Sequence, residues 1–150
     1  MISRTPLIGF MLAAAIVLFF SSAWAEIGQI KLLSGDVRIV RNGEKVQAQA
    51  GDILQQEDEV ETGSDGSVGM TFIDSSRMSL GPDSRIKLQQ FQFDPTTNAG
   101  KFTTNIKQGT LTVISGKIAK ESPESMKVTT PSTILGLRGT VLAVKVHEQQ

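Results

Sequence analysis

Carboxylate side chains are the residues of this sequence best suited to chemistry, and a group of them lies between residues 52 and 74. The group combines an acidic run with aspartates in predicted turns: Asp52, Glu57, Asp58, Glu59, Glu61, Asp65 and Asp74. Two carboxylates held about 5 to 9.5 Å apart can hydrolyse a glycosidic bond, and several carboxylates with loop carbonyls can bind Ca²⁺. We favour a third interpretation, in which residues 55–61 form an edge strand with Val60 directed inward and charges that prevent pairing between sheets.

Other catalytic chemistry has little support in the composition. The sequence has no cysteine, and its one histidine, His147, lies three residues from the end, where a solvated tail is the simpler interpretation. Ordinary zinc sites and a Ser-His-Asp triad are therefore excluded. Beyond residue 25 the aromatic residues are four phenylalanines, with no Trp or Tyr to stack on sugar rings. We predict no catalytic residue, no metal site and no cofactor, and hence no enzyme.

The segment TPSTILGLRGT, near the C-terminus, is the other candidate for a functional site. Pro131 fixes its backbone φ angle, Gly136 and Gly139 permit positive φ or close approach, and Thr140 leads into the last predicted strand. Arg138 is the candidate partner-binding residue, because its guanidinium can pair with a carboxylate through two hydrogen bonds. We favour an internal clamp onto a carboxylate or carbonyl, so that these five residues form a fold motif and Arg138→Ala lowers thermal stability.

The first 25 residues differ from the rest and predict a secretory signal peptide. Arg4 precedes an uninterrupted apolar run at residues 7–20, and Ala23-Trp24-Ala25 fits a cleavage site. The run is shorter than the roughly 20 residues of a membrane span, although an uncleaved anchor is the alternative. The mature chain, residues 26–150, is predicted to be a single domain that is periplasmic or secreted and keeps no membrane span.

Charge composition argues against nucleic acid as a partner. The sequence has 15 basic and 15 acidic residues, and removing the leader with Arg4 leaves a net charge of about −1. Without a strong field of one sign, neither nucleic acid nor an anionic membrane is favoured.

The pattern beyond residue 25 predicts an all-β protein. Short stretches with period-2 alternation lie between turn residues, and no window shows sustained helical periodicity. Asn42-Gly43 predicts a hairpin turn, Gln108-Gly109 predicts a turn between two strands, and residues 117–127 predict a surface loop with room for a short helical turn. Aligning Pro82 with Pro131 also brings two apolar patterns into register. We therefore expect short strands in stacked, solenoid-like or sandwich layers, with a two-unit internal repeat.

An ordered set of short motifs resembles the FecR domain, named for a bacterial regulator of iron-dicitrate transport. The motifs are GDVR (35–38), RNG (41–43), AGDIL (50–54), DEVETG (58–63), SVGMTFID (67–74), SLGPDS (79–84), QGTL (108–111), VTTP (128–131) and GLRGT (136–140). One departure is Ser75, which stands where the family usually has glycine and predicts a different turn. The cytoplasmic anti-sigma segment of signalling members has no counterpart in this sequence.

The resemblance implies an exported, all-β, non-catalytic module that binds a protein or an envelope polymer, as an accessory in signalling or surface assembly. Exposed strand edges would suit strand addition by a partner. The alternative is a carboxylate-based glycan hydrolase of the envelope, and a passive structural component of a surface assembly is a third, weaker possibility.

Overall fold

The computed structural model describes residues 24–139 and 141–148. The strands are β1 (Glu26–Ser34), β2 (Val37–Arg41), β3 (Glu44–Gln47), β4 (Ile53–Gln55), β5 (Glu59–Thr62), β6 (Ser67–Phe72), β7 (Arg77–Leu80), β8 (Arg85–Phe93), β9 (Gly100–Ile114), β10 (Met126–Thr129), β11 (Ile134–Gly136) and β12 (Val141–Val146). A short helix, α1 (Lys117–Glu121), and a 3₁₀ turn (Pro123–Ser125) connect β9 to β10. The all-β prediction is confirmed. In the described part of the chain, no helix is long and apolar enough to cross a membrane.

The strands form one curled sheet in the order β3-β2-β5-β8-β9-β7-β6-β1-β4. The long strand β9 divides this sheet, because its first half pairs with β8 and β10 and its second half with β7 and β12. Strand β10 runs parallel to β9, and the other pairs are antiparallel. We call β2, β3, β5, β8, β10 and β11, with the first half of β9, the β8 wing. The β7 wing consists of β1, β4, β6, β7 and β12 with the second half of β9.

The inner faces of the two wings pack against each other and form the core. The ring of Phe72 in the β7 wing lies 4.7 Å from that of Phe102 and 6.1 Å from that of Phe91, both in the β8 wing. Alternation in the strands supplies this core, as in β6, where every second residue is buried. The result is a single curled sheet that resembles a half-barrel.

Gly109 lies inside β9, so the predicted turn at Gln108-Gly109 is wrong. The chain does not reverse there; the strand continues while its partners change from β8 to β7. Gly109 has φ +91°, and a Cβ at this position would lie 2.1 Å from the Ser84 Oγ. Glycine is therefore required for a close approach at the corner between the wings rather than for a hairpin.

The two-unit repeat is not confirmed. Pro82 lies between β7 and β8, which pair with β9 and not with each other. Pro131 instead lies in the loop of the β10–β11 hairpin. The similar sequences therefore occupy different positions in the sheet.

Local turn chemistry was predicted more successfully. The β2–β3 hairpin forms at Asn42 and Gly43, whose φ angles of 52° and 78° are both positive. Ser75, by contrast, has a φ of 68°, the left-handed conformation that glycine would favour, so the different turn predicted at this position is not confirmed. Strand β1 was not predicted, although Ile27 and Ile30 in it are buried.

Residues 117–127 are less exposed than the predicted surface loop. The helical turn forms as α1, and it buries Ile118 and Ala119. Met126, which follows the 3₁₀ turn, is also buried. Two adjacent apolar residues in a polar segment were the signal that this connection packs on the core.

Candidate functional site

The acidic run does not form an edge strand, so that prediction is wrong. Strand β5 lies between β2 and β8, and Val60 is buried as expected. The neighbouring strands place basic residues beside its carboxylates: Arg38 and Arg85 lie opposite Glu61, and Lys87 lies opposite Glu59. Cross-strand pairs of opposite charge allow an acidic strand to occupy a central position.

Asp58 is the most deeply buried member of the run, with 1% of its surface exposed. It accepts two hydrogen bonds from Arg41, Nε to Oδ1 at 2.8 Å and Nη2 to Oδ2 at 2.7 Å. The backbone N–H of Gln55 donates a third bond at 2.8 Å. The hydrogen bond to Asp58 raises the pKa of Arg41, and Arg41 also donates to the carbonyl of Ile53 at 3.0 Å, which ties the end strand β4 to this pair.

Glu61 and Glu59 are held by a network on the outer face of the β8 wing. Lys45 Nζ lies 2.8 Å from Glu61, and Arg85 Nε lies 3.2 Å from Glu61 and 3.4 Å from Glu59. Lys107 donates to Glu59 at 2.8 Å. Burial alone would raise the pKa of Glu61, but the hydrogen bond from Lys45 and the positive charges of Arg85, Lys45 and Arg38 lower it overall.

These pairings suit a structural role for the carboxylates. A general acid at neutral pH needs a raised pKa, whereas the pKa of Glu61 is lowered. Asp74 is fully buried and accepts bonds from the N–H and hydroxyl of Ser76, so it organises its own turn. Within residues 24–139 and 141–148, no group of three or more His, Cys, Asp or Glu is placed to hold a metal ion.

The C-terminal cleft is the second candidate site. We give this name to a cavity of about 720 Å³ lined by Pro123, Glu124, Lys127, Ile134, Gly136, Arg138, Gly139 and Leu142. It lies where β11, at the end of the β8 wing, approaches β12, at the end of the β7 wing. Among the described residues, β11 pairs only with β10 and β12 only with β9. The cleft is therefore flanked by two free strand edges.

The cleft has more basic than acidic groups. Lys127 and Arg138 are exposed and form no ion pair with a described residue, and Glu124 is the acidic residue in the lining. A hydrogen bond from Ser122 and, to a smaller extent, the charge of Arg138 lower the pKa of Glu124. The internal clamp expected for Arg138 has no counterpart among the described residues, to which Arg138 donates no hydrogen bond.

The predicted fold motif is only partly brought together. Pro131 is exposed in the β10–β11 loop, and Gly139 has φ +98°, which favours glycine. Gly136 lies in β11 without a positive φ, and a Cβ there would meet nothing within 4 Å. Thr140 lies outside the described residues. The predicted leader, residues 1–25, lies almost wholly outside them too.

Sequence reasoning missed Lys127, Ile134 and Leu142 as cleft residues. Ile134 is 68% exposed, although apolar, and this is visible only once β11 is known to be at an edge. His147, by contrast, is exposed after the last strand, as expected for a tail residue.

The comparisons with known proteins agree with the motif pattern. The family model described as FecR protein matches residues 58–150. The motifs from DEVETG onward fall within this range, and those at 35–43 and 50–54 precede it. No curated protein and no solved structure matches the chain. Because the matched residues make up more than half of the sequence, the chain belongs to the FecR family.

Proposed function

We propose that this chain is an exported, non-catalytic interaction module of the bacterial cell envelope that binds an extended segment of a partner protein in the C-terminal cleft. The observation that carries the proposal is that Lys127 and Arg138, which are exposed and form no ion pair with a described residue, lie beside the free edge of β11. Membership of the FecR family and the predicted signal peptide support the envelope location. The paired carboxylates of β5 support the non-catalytic part of the proposal.

The edge of β11 offers the backbone groups for strand addition. The N–H of Leu137 donates to the carbonyl of Met126 at 3.1 Å, so Leu137 and Leu135 direct their backbone groups toward β10. Backbone groups alternate along an antiparallel strand. Ile134 and Gly136 therefore direct theirs outward, and an added strand can pair with them.

The charges of the cleft define the chemistry of the partner. A carboxylate on the added segment can accept two hydrogen bonds from Arg138, and Lys127 adds a second positive charge. Exposed Ile134 offers an apolar contact beside them. The best fit is an extended segment in which apolar and acidic residues alternate.

A defined peptide tests this chemistry. We would titrate residues 26–150 with a nine-residue peptide alternating Val and Glu, and with a matched peptide alternating Val and Lys. The acidic peptide is expected to bind at least tenfold more tightly, and added salt should weaken its binding. Equal binding of the two peptides would contradict the assignment of the cleft.

Arginine variants locate the site and identify the partner. Arg138→Ala should lose most of the peptide binding and the capture of a stoichiometric protein from envelope extract, with an unchanged melting temperature. Arg77→Ala is the matched control, because Arg77 is also exposed without an ion pair among the described residues, but lies on β7. If the two variants behave alike, Arg138 has no role in binding. Glycan hydrolysis that is lost in a Glu59→Gln, Glu61→Gln double variant would instead support the hydrolase alternative.

A further inference from the structure

The free strand edges of this protein are not equally protected. Among the described residues the edge strands are β3, β4, β11 and β12. Strand β3 carries Glu44 and Lys45, and β4 and β11 are only three residues long. Charge and short length are two ways in which proteins prevent edge-to-edge pairing. Strand β12 is six residues long and carries one charge, that of Lys145. It is therefore the edge strand least protected by charge and short length.

The hydrogen bonds of β9 show which of its backbone groups face β12. The carbonyl of Thr110 accepts from the N–H of Gly81 at 3.1 Å, and the N–H of Thr110 donates to the Ser84 Oγ at 2.9 Å. Thr110 therefore directs both backbone groups away from β12. Because successive residues alternate, Leu111 and Val113 direct theirs toward β12.

The free groups of β12 follow from the register. Leu111 and Val113 of β9 lie opposite Val144 and Leu142, so these two residues use their backbone groups within the sheet. Val141, Ala143 and Lys145 consequently direct their N–H and C=O groups outward, to the free edge. The same three residues carry the exposed side chains of the strand.

We propose that this edge pairs with the same edge of a second copy of the chain, antiparallel, with Ala143 opposite Ala143 of the second copy. In this register Val141 of each copy lies opposite Lys145 of the other. The three outward residues of each copy then exchange all their free backbone groups across a two-fold axis, as an isologous interface requires. Val141, 62% exposed in the single chain, is covered by the lysine stem.

The charge of Lys145 favours this register over the one centred on Val144. Centring the pair on Val144 would place Lys145 opposite Ala143 of the second copy and bring the two lysines to diagonal positions. Like charges at close cross-strand positions are destabilising. Centring on Ala143 places the lysines at opposite ends of the paired strands.

The interface is small, which sets the expected affinity. Six-residue edges cover less surface than the roughly 1,200 Å² of a stable specific interface, so we expect a dimer that forms reversibly at micromolar or higher concentration. The inference does not depend on the proposed function, because it uses the outward backbone groups of Val141, Ala143 and Lys145 rather than the side chain of Arg138 or the edge of β11.

Substitutions that introduce charges of opposite sign at position 141 test the register. Val141→Glu introduces two Glu–Lys pairs per dimer and Val141→Lys introduces two Lys–Lys pairs, so we expect dissociation constants that differ by about tenfold in sedimentation equilibrium. Ile134→Lys, on the edge of β11, is the control and should leave dimerisation unchanged. Arg138→Ala should also dimerise normally, which separates this result from failure of the proposed function.

A cysteine variant measures the pairing directly, because the sequence has no cysteine of its own. Residues in a hydrogen-bonded antiparallel pair have Cα atoms about 5.5 Å apart, within the usual disulfide range. Ala143→Cys should therefore form a disulfide dimer on mild oxidation, and Lys145→Cys should not. A chain that stays monomeric at every concentration, or a dimer insensitive to the sign at position 141, would overturn the inference. Loss of peptide binding in Val141→Lys without any effect on self-association would assign the edge to another protein and overturn it as well.

Discussion

The acidic strand β5 and the C-terminal cleft both contain charged residues suited to chemistry, but the fold treats them in opposite ways. Asp58, Glu59 and Glu61 lie in or beside a central strand, and each contacts a basic side chain. Lys127 and Arg138 lie beside a free strand edge and form no ion pair with a described residue. The comparison indicates that a charged group already neutralised by its own chain stabilises the fold, whereas one left exposed beside unused backbone groups is free to bind another molecule.

Arg41→Ala should have the largest effect, because it removes the cation from Asp58, the most buried carboxylate of the acidic run. Among the described residues, the Asp58 carboxylate would keep only the Gln55 N–H as a partner, and leaving a buried charge without its cation is strongly destabilising. We expect a loss of about 3 kcal/mol in the free energy of unfolding, measured by urea denaturation. Arg38→Ala is the control, since its pair with Asp36 is partly exposed on both sides and contributes at most about 1 kcal/mol. Equal losses in the two variants would mean that burial of Asp58 does not determine the cost.

Gly109→Ala should have the next largest effect, at the corner where β9 passes from one wing to the other. The new Cβ would meet Ser84, and the positive φ is unfavourable for alanine. We expect a loss of about 2 kcal/mol in the free energy of unfolding. Gly43→Ala separates the two causes, because Gly43 also has a positive φ but no neighbour within 4 Å of a Cβ. If Gly43→Ala costs as much, the close approach to Ser84 is unimportant.

The sequence predicted what depends on neighbouring residues and missed what depends on distant ones. Asn42-Gly43 specifies its turn locally, and the alternation around Val60 identifies its buried side. Gly109 has the same local signal as a hairpin turn, and only the position of Ser84 shows that the strand continues. The acidic run likewise resembles an edge strand until Arg38 and Arg85 are brought beside it by strands distant in sequence.

The sequence identified one residue of the candidate site, Arg138. It did not identify the residues around Arg138 or their geometry. Arg138 was named as a candidate for partner binding, but an internal clamp was the favoured interpretation of the sequence. Exposure of Arg138 depends on β11 being an edge strand, which is set by pairing between distant segments. Lys127 and Ile134 could not be grouped with Arg138 before that pairing was known.

Lowering the pH should weaken the β5 network, and the Glu61→Gln substitution should remove part of this pH dependence. The folded-state pKa of Glu61 lies below its ordinary value, so its ionised form stabilises the fold above the unfolded pKa of about 4.3, and this contribution is lost as the pH falls further. We expect Glu61→Gln to cost about 1 kcal/mol at pH 7 and to reduce the fall in stability between pH 5 and 3. Glu57→Gln, in a more exposed pair with Lys87, is the control and should leave the pH profile nearly unchanged. An identical acid profile in wild type and Glu61→Gln would place the titrating groups elsewhere.

Gly136→Ala should have the smallest effect on folding and is the most direct test of the cleft. Its φ is not in the left-handed region and a Cβ would meet nothing within 4 Å, so stability should change by less than about 0.5 kcal/mol. A glycine inside a strand that the chain itself does not require can instead allow close approach by another backbone. Binding of the acidic peptide should therefore weaken several-fold while the melting temperature stays constant. If both quantities are unchanged, the cleft does not receive a strand at β11, and the contrast with β5 would rest on Arg138 alone.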